Sequence, residues 1–362
     1  MRDLENRLAE RTLELVDIPS QSLHEERIRL HLLALVPDSL ERAYEGDEAF
    51  LFLPARRDGA ELVLLVGHYD TVPAQENIPG RIADGAVHGL GASDMKAGLA
   101  VALELLRDLA QQPPVSLDAG FLLFGREELG REHNPLPQLF EGCAAVRETS
   151  LAILLEPTAG RIEAGCLGSL LAEVAFHGRS GHSARPWLAE NAISNAVAGL
   201  LPLTQHPLRE VGVGGLTFVE SLSVTRLASG IADNVIPDRA LATLNLRYAP
   251  DRTPQDAEQF LRSLAPRDAT LEVRSNSPAG RVVSDSPLVE ALLAAGARAL
   301  ESKQAWTNVA DFTAQGLDAV NFGPGDPAFA HRRDEQVQIS ALVHAYETLR
   351  RFLTTPIEDD GR

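Results

Sequence analysis

Cysteine is almost absent, with Cys143 and Cys166 the whole supply in 362 residues. Two thiols are too few for a disulfide framework and are not spaced as a zinc knuckle, so both read as small core residues. No stretch reaches the ~18 uninterrupted apolar residues of a membrane span. The first twenty residues, MRDLENRLAERTLELVDIPS, also lack a long apolar segment. Their charges alternate with apolar positions at helical spacing, which predicts a helix rather than a signal peptide. Positive charge is scarce too: 33 Lys and Arg stand against 51 Asp and Glu, a formal net charge of −18. Nucleic acid and anionic membrane would repel such a chain, so neither is expected as a partner. A small-molecule ligand is expected instead, in a cytoplasmic setting, with local arginines if that ligand is an anion. Otherwise the composition, 44% hydrophobic and 23% charged, is that of a globular protein long enough for two domains.

One stretch organises the rest. In residues 61–73, ELVLLVGHYDTVP, a continuous apolar run ends in a His, a spacer and an Asp. Such a run predicts a central strand covered on both faces. His68 and Asp70 then stand at the strand's carboxyl end, where open α/β sheets bind ligands. Side chains two apart on extended chain point the same way, so Asp70 can orient the imidazole of His68. By itself, an H-x-D is more often a loop than a metal site.

The pattern recurs along the chain. Residues 117–124 repeat the strand signal and run into GREELG, which carries Glu127 and Glu128; a shorter apolar run at 153–155 ends in Glu156. Between the first two strands, HGLGASDMKAGLAVALELLRDLA places Asp94 among glycines at the start of a predicted helix. Alone, that Asp reads as an N-cap and the paired glutamates as a solvated pair. The missing G-K-[ST] gives a phosphate loop little support. Late in the chain, the Gly/Pro loop GPGDPAFAHRRDE adds His331.

Three predicted strands that each end in acid or imidazole are hard to explain structurally. Burying unpaired carboxylates together costs several kcal/mol unless a cation neutralises them. His68, Asp70, Asp94, Glu127, Glu128, Glu156 and His331 are therefore candidates for a metal centre. Nitrogen and oxygen donors without thiolate suit zinc, with cobalt or manganese as substitutes. Five ligands including one bridging carboxylate fit two metals roughly 3.5–4 Å apart better than one, leaving a carboxylate as general base.

From about residue 170 the pattern changes. LAEVAFHG alternates, a helix is predicted over 191–203, strands over 217–229 and 239–249, a helix over 253–264, and a strand in ATLEVRSNS. That order fits a ferredoxin-like α+β sandwich inserted at 170–279, with the two middle strands antiparallel. The remainder, 1–169 and 280–362, is expected to form a discontinuous α/β catalytic domain: a mixed, mostly parallel sheet covered by helices. Its second part reads as a helix over 285–300, a strand over 318–322, a helix over 340–353 and a frayed end at 356–362.

The motifs at 64–73, 88–98, 121–130, 153–157 and 316–335 resemble those of the dinuclear zinc amidohydrolases and peptidases. That family includes acetylornithine deacetylase, carboxypeptidases and succinyl-diaminopimelate desuccinylase. Longer stretches, among them ILLEPTAGRIEAGCLGSL, LSVTRLASGIADNVIPD and LDAVNFGPGDPAFAHRRDE, resemble the actinobacterial type of desuccinylase over most of the chain. The resemblance implies hydrolysis of N-succinyl-L,L-2,6-diaminopimelate to succinate and L,L-diaminopimelate, in lysine and cell-wall precursor synthesis. It implies two zinc ions per subunit, with cobalt a possible substitute: His68 and Glu156 on one, Glu128 and His331 on the other, Asp94 between them. Asp70 would support His68, and Glu127 would take a proton from the bridging water and later deliver it to the leaving amine. The insert would be a lid through which a homodimer forms, and His182 in GHSAR would reach the partner's site to polarise the scissile carbonyl. For an anionic N-acyl amino acid substrate the candidate donors are Arg185, Arg247, Asn234 and Thr307. Without the resemblance, His182 reads as a surface-turn His and the arginines as salt-bridge partners. A non-proline cis bond between Asp94 and Met95 is implied as well.

Two positions depart from the family pattern. Arg126 precedes the glutamates where related sequences often carry Asp, Cys or another small residue, and Asn308 stands where Asp is usual. Neither is a candidate ligand, and both bear on which acyl group is accepted. A deacylase acting on N-acetylornithine or another N-acyl amino acid is the alternative within this mechanism. A non-catalytic homologue kept for binding or dimer assembly is the alternative outside it. The complete ligand set and Glu127 speak against the second, because binding needs no general base.

Overall fold

The computed structural model describes residues 2–113 and 117–356. The frayed end expected at 356–362 lies outside the described residues, Pro356 apart. The chain divides into two compact units, one made of Met1–Ala164, Val283–Glu301 and Asp311–Arg362, the other of Gly165–Val282 and Ser302–Ala310. Among the described residues no helix is long and apolar enough to cross a membrane.

In the first unit the apolar run becomes the strand Glu61–His68, buried at every residue after Glu61. Leu117–Phe124 and Thr149–Leu154 flank it in parallel, and Ala319–Asn321 lies parallel beyond the second of these. The hairpin Leu40–Gly46 and Ala49–Pro54 extends one side antiparallel; Ile162–Ala164 and Leu300–Ser302 complete the other. The sheet is thus mixed and mostly parallel at its centre. Register aligns the strand ends, pairing His68 with Phe124 and Val66 with Leu154. Residues 125–128 and 155–156 therefore leave the sheet at the edge where His68 stands.

Helices Arg2–Val16, Lys96–Gln111 and Ile339–Thr354 pack on one another, the last two also on central strands. Lys96–Gln111 comes close because Gly98 has no side chain: a Cβ there would lie 2.4 Å from the Leu155 carbonyl oxygen. That approach brings the helix start, with Asp94 just before it, to the end of the strand that leads into Glu156.

Helix Glu26–Leu35 starts only after Leu23, whose left-handed φ of 73° a helix cannot include. One helix differs from expectation. The helix expected over 285–300 is only Pro287–Ala294; Gly296 at φ 128° turns the chain, and Leu300–Ser302 joins the sheet. A small antiparallel sheet of Arg81–Ala83, Ala86–His88 and Gln336–Gln338 was not foreseen. Strands of three residues are too short to show a period.

The second unit holds a five-stranded antiparallel sheet in the order Arg209–Val213, Leu216–Ser229, Arg239–Tyr248, Gly168–His177, Ala269–Ser277. Without the first strand this is the ferredoxin-like arrangement. Alternation set it: in Arg239–Tyr248 every second residue from Ala240 is buried. Those residues pack with Leu200 of helix Ala192–Thr204 and Leu261 of helix Pro254–Leu264. Thr253 and Asp256 cap the latter reciprocally in a capping box. A two-residue ribbon pairs Gly181–His182 with Val235–Ile236.

Candidate metal centre

His68 closes its strand with 1% of its side chain exposed. Its Nε2 lies 3.3 Å from Asp94 Oδ1 and 3.9 Å from Glu156 Oε1. The other oxygen of Asp94, Oδ2, is 3.4 Å from His331 Nε2, and that nitrogen is 3.0 Å from Glu128 Oε1. One carboxylate therefore stands between two imidazoles, each of which has a second carboxylate of its own. Ligand atoms of His68, Asp94 and Glu128 all fall within 4.8 Å of one another. The Asp94–Met95 peptide bond is cis. His331 and Arg126 both adopt left-handed φ, 60° and 62°.

Asp70 is fully buried behind His68. The imidazole Nδ1 is 3.2 Å from the Asp70 carbonyl oxygen and 3.5 Å from its Oδ1. The same carboxylate accepts from the backbone N–H of Glu127 at 3.0 Å and of Glu128 at 3.1 Å, and from Ser22 Oγ at 2.7 Å. It thus ties the loop carrying both glutamates to the strand carrying His68. Neither Ser22 nor this second task of Asp70 was foreseen from the sequence, since the partners are a hydroxyl and backbone groups remote along the chain.

The electrostatics ask for a cation. Burial lifts the Glu127 carboxyl well above the ordinary range; the charge of His68 opposes this, and Glu156, Glu128 and Asp94 add to it. His68 would be lowered by burial, but its bonds to Asp70 and Asp94 raise it well above the usual imidazole value. His331 is raised to about 10 by Asp94 and Glu128. Asp94 is held low despite burial by the two imidazoles. Among the described residues, the carboxylates of Asp94, Glu127, Glu128 and Glu156 converge on two imidazoles that can carry balancing charge, and all the donors are nitrogen or oxygen. Residues of this kind, in this arrangement, fit divalent metal.

The other candidates lie in the second unit, in two groups. His182, exposed on its ribbon, accepts the Ala184 N–H at Nδ1, 3.1 Å away. The Arg185 N–H donates to the His182 carbonyl at 2.8 Å, and the Asn234 carbonyl accepts from Ser183 N–H at 3.0 Å, so these three residues share one ribbon. Thr307 and Arg247 form the second group: the Cys166 thiol donates to the Thr307 carbonyl at 3.6 Å, and burial lowers the Arg247 pKa, with Cys166 opposing that shift. Arg126 is paired with Asp47 at 2.7 Å, and Asn308 is buried.

Comparison with known proteins bears on what this arrangement does. The sequence profile of peptidase family M20/M25/M40 matches residues 64–355. The chain belongs to that family. Within it, the chain is 38% identical over 358 residues to a Mycobacterium tuberculosis protein provisionally named succinyl-diaminopimelate desuccinylase DapE, covering 98% of this chain and 99% of that one. It is 36% identical to the succinyl-diaminopimelate desuccinylase of Corynebacterium glutamicum, with 95% of each chain covered. Among solved structures, the aminopeptidase PepT of Bacillus cereus matches with a TM-score of 0.78 at 20% identity, over 96% of this chain and 98% of that one, which shows the common fold. As an M20 family member the chain is a metal-dependent amidohydrolase.

Proposed function

We propose that this M20 family chain hydrolyses N-succinyl-L,L-2,6-diaminopimelate to succinate and L,L-diaminopimelate in the cytoplasm, using two metal ions, zinc foremost, in a homodimer. The observation that carries the metal reading is Asp94, whose two oxygens face different imidazoles at 3.3 and 3.4 Å. The substrate reading is supported by near-full-length similarity to two relatives that bear the desuccinylase name.

In this reading His68 and Glu156 hold one metal, Glu128 and His331 the other, and Asp94 is shared. When bound, the metals supply Lewis acidity, polarising the amide carbonyl and acidifying water. Glu127 accepts the proton of the attacking water and passes it to the leaving amine, so that a neutral amine departs. Asp70 fixes the His68 ring and, through its two N–H partners, the position of Glu127. His182 donates from Nε2, because its Nδ1 is occupied as an acceptor, and the natural target is the carbonyl oxygen of the partner's substrate. Arg185 and Arg247 pair with substrate carboxylates, and Asn234 and Thr307 add hydrogen bonds.

The test is hydrolysis of N-succinyl-L,L-diaminopimelate beside N-acetylornithine, by metal-stripped protein with and without added zinc. Zinc-dependent cleavage of the succinyl substrate alone is the expected result. Cleavage of the acetyl substrate instead would keep the chemistry and reject the substrate.

A further inference from the structure

Glu335 lies four residues past His331 and is 2% exposed. Its carboxylate accepts three backbone N–H groups from a single loop: Oε2 from Gly91 at 2.9 Å, Oε1 from Ser93 at 2.9 Å and from Asp94 at 3.0 Å. The join continues through the backbone. Gly89 N–H donates to the Glu335 carbonyl at 3.0 Å, and the strand Gln336–Gln338 that starts at the next residue pairs with Ala86–His88. On the far side of His331, Ser93 Oγ donates to the Asp326 carbonyl at 2.8 Å. The loop bearing Asp94 is thus fastened at both ends to the segment bearing His331. Between these ties Asp94 Oδ2 lies 3.4 Å from His331 Nε2.

We infer that Glu335 is a positioning residue for the metal centre, its carboxylate holding the 91–94 backbone so that the Asp94 side chain stands between His68 and His331. This rests on the reading of those three residues as ligands. A carboxylate suits the task because it offers about four acceptor sites and no donor, matching three converging N–H groups. An amide in its place keeps an acceptor toward Ser93 and Asp94 but turns an NH2 toward the Gly91 N–H. The two isosteres therefore separate holding from mere filling of space.

The test is a cobalt titration of the metal-stripped full-length protein, following affinity and the visible absorption bands of bound cobalt, beside the thermal midpoint of the metal-free form. Glu335→Ala is expected to weaken binding by about 10- to 100-fold, the range typical of groups that orient metal ligands, and to alter the bands. Glu335→Gln should fall between it and the parent, and remains informative if the alanine variant does not fold. Affinity within twofold of the parent together with unchanged bands in a folded variant overturns the inference, even if the metal-free midpoint has dropped. A parent protein that binds no cobalt overturns the ligand reading, and this inference with it; normal parent binding beside an unaltered variant overturns this inference alone.

Discussion

Asp70 accepts from Ser22 and from two backbone N–H groups while it faces the His68 ring, so its charge serves two loops at once. Asp70→Asn keeps the shape but sets an amide donor against at least one N–H. Metal affinity and turnover are both expected to fall, by about 10- to 100-fold. Unchanged metal affinity would reduce Asp70 to a loop tie. Glu127 is expected to behave differently, because it is proposed to move a proton and not to hold metal. Glu127→Gln should cut kcat by about 10²–10⁴ with two metals retained per subunit by elemental analysis. Loss of metal in that variant would make Glu127 a ligand. At this scale the candidate ligands were visible because each follows an apolar run or a glycine-rich turn. Ser22 and Glu335 were not: Ser22 is a lone hydroxyl 48 residues from its partner Asp70, and Glu335 accepts from backbone N–H groups, which carry no side-chain signature.

Helix Lys96–Gln111 sets the depth at which Asp94 sits, and Gly98 sets the depth of the helix. A methyl group there would meet the Leu155 carbonyl oxygen at 2.4 Å and Leu155 Cβ at 2.7 Å, atoms of a buried strand end that cannot yield cheaply. Alanine favours helix over glycine by roughly 1 kcal/mol, whereas overpacking costs about 1–3 kcal/mol. Gly98→Ala is therefore expected to destabilise the fold in urea titrations and to weaken metal binding; a variant as stable as the parent would contradict the close approach. In the second unit, the Glu220 carboxylate is shared by Arg209 and by Arg252 at 2.9 Å, and accepts the Ala249 N–H at 3.1 Å. Burial would raise its pKa, but these partners outweigh burial and lower it. A carboxylate with a lowered folded pKa contributes stability above its unfolded value near 4.5, and loses it as pH falls toward the folded one. Glu220→Gln should be less stable at neutral pH and show a shallower loss of stability below about pH 4.5. Parallel pH profiles for the two proteins would refute this. Long alternating or continuous runs made these elements readable; three-residue strands and the glycine stop at 296 carry no such run.

At the scale of the molecule, the ferredoxin-like order was readable because its strands alternate, throughout Arg239–Tyr248 and over 269–275 of Ala269–Ser277. The membership of Ser302–Ala310 in the second unit was not, for nothing local distinguishes that segment from the chain on either side. Helix Ala192–Thr204 leaves Ile193, Val197 and Leu201 40%, 59% and 54% exposed, a stripe of residues four apart that lies about 100° around the helix from its buried Ala192, Ala196 and Leu200. With a net charge of −18 the chain repels its own copies, so self-association requires apolar contact of this kind. If the proposed homodimer forms through this face, Val197→Asp should yield monomers in sedimentation at concentrations where the parent is dimeric. The proposed reach of His182 into the partner's site makes a second demand on the same variant. The monomer should retain both metals and lose kcat by about 10²–10³, the loss typical of removing one oxyanion donor. A monomeric variant with full turnover would leave His182 no role across the subunits and would confine the catalytic machinery to a single chain.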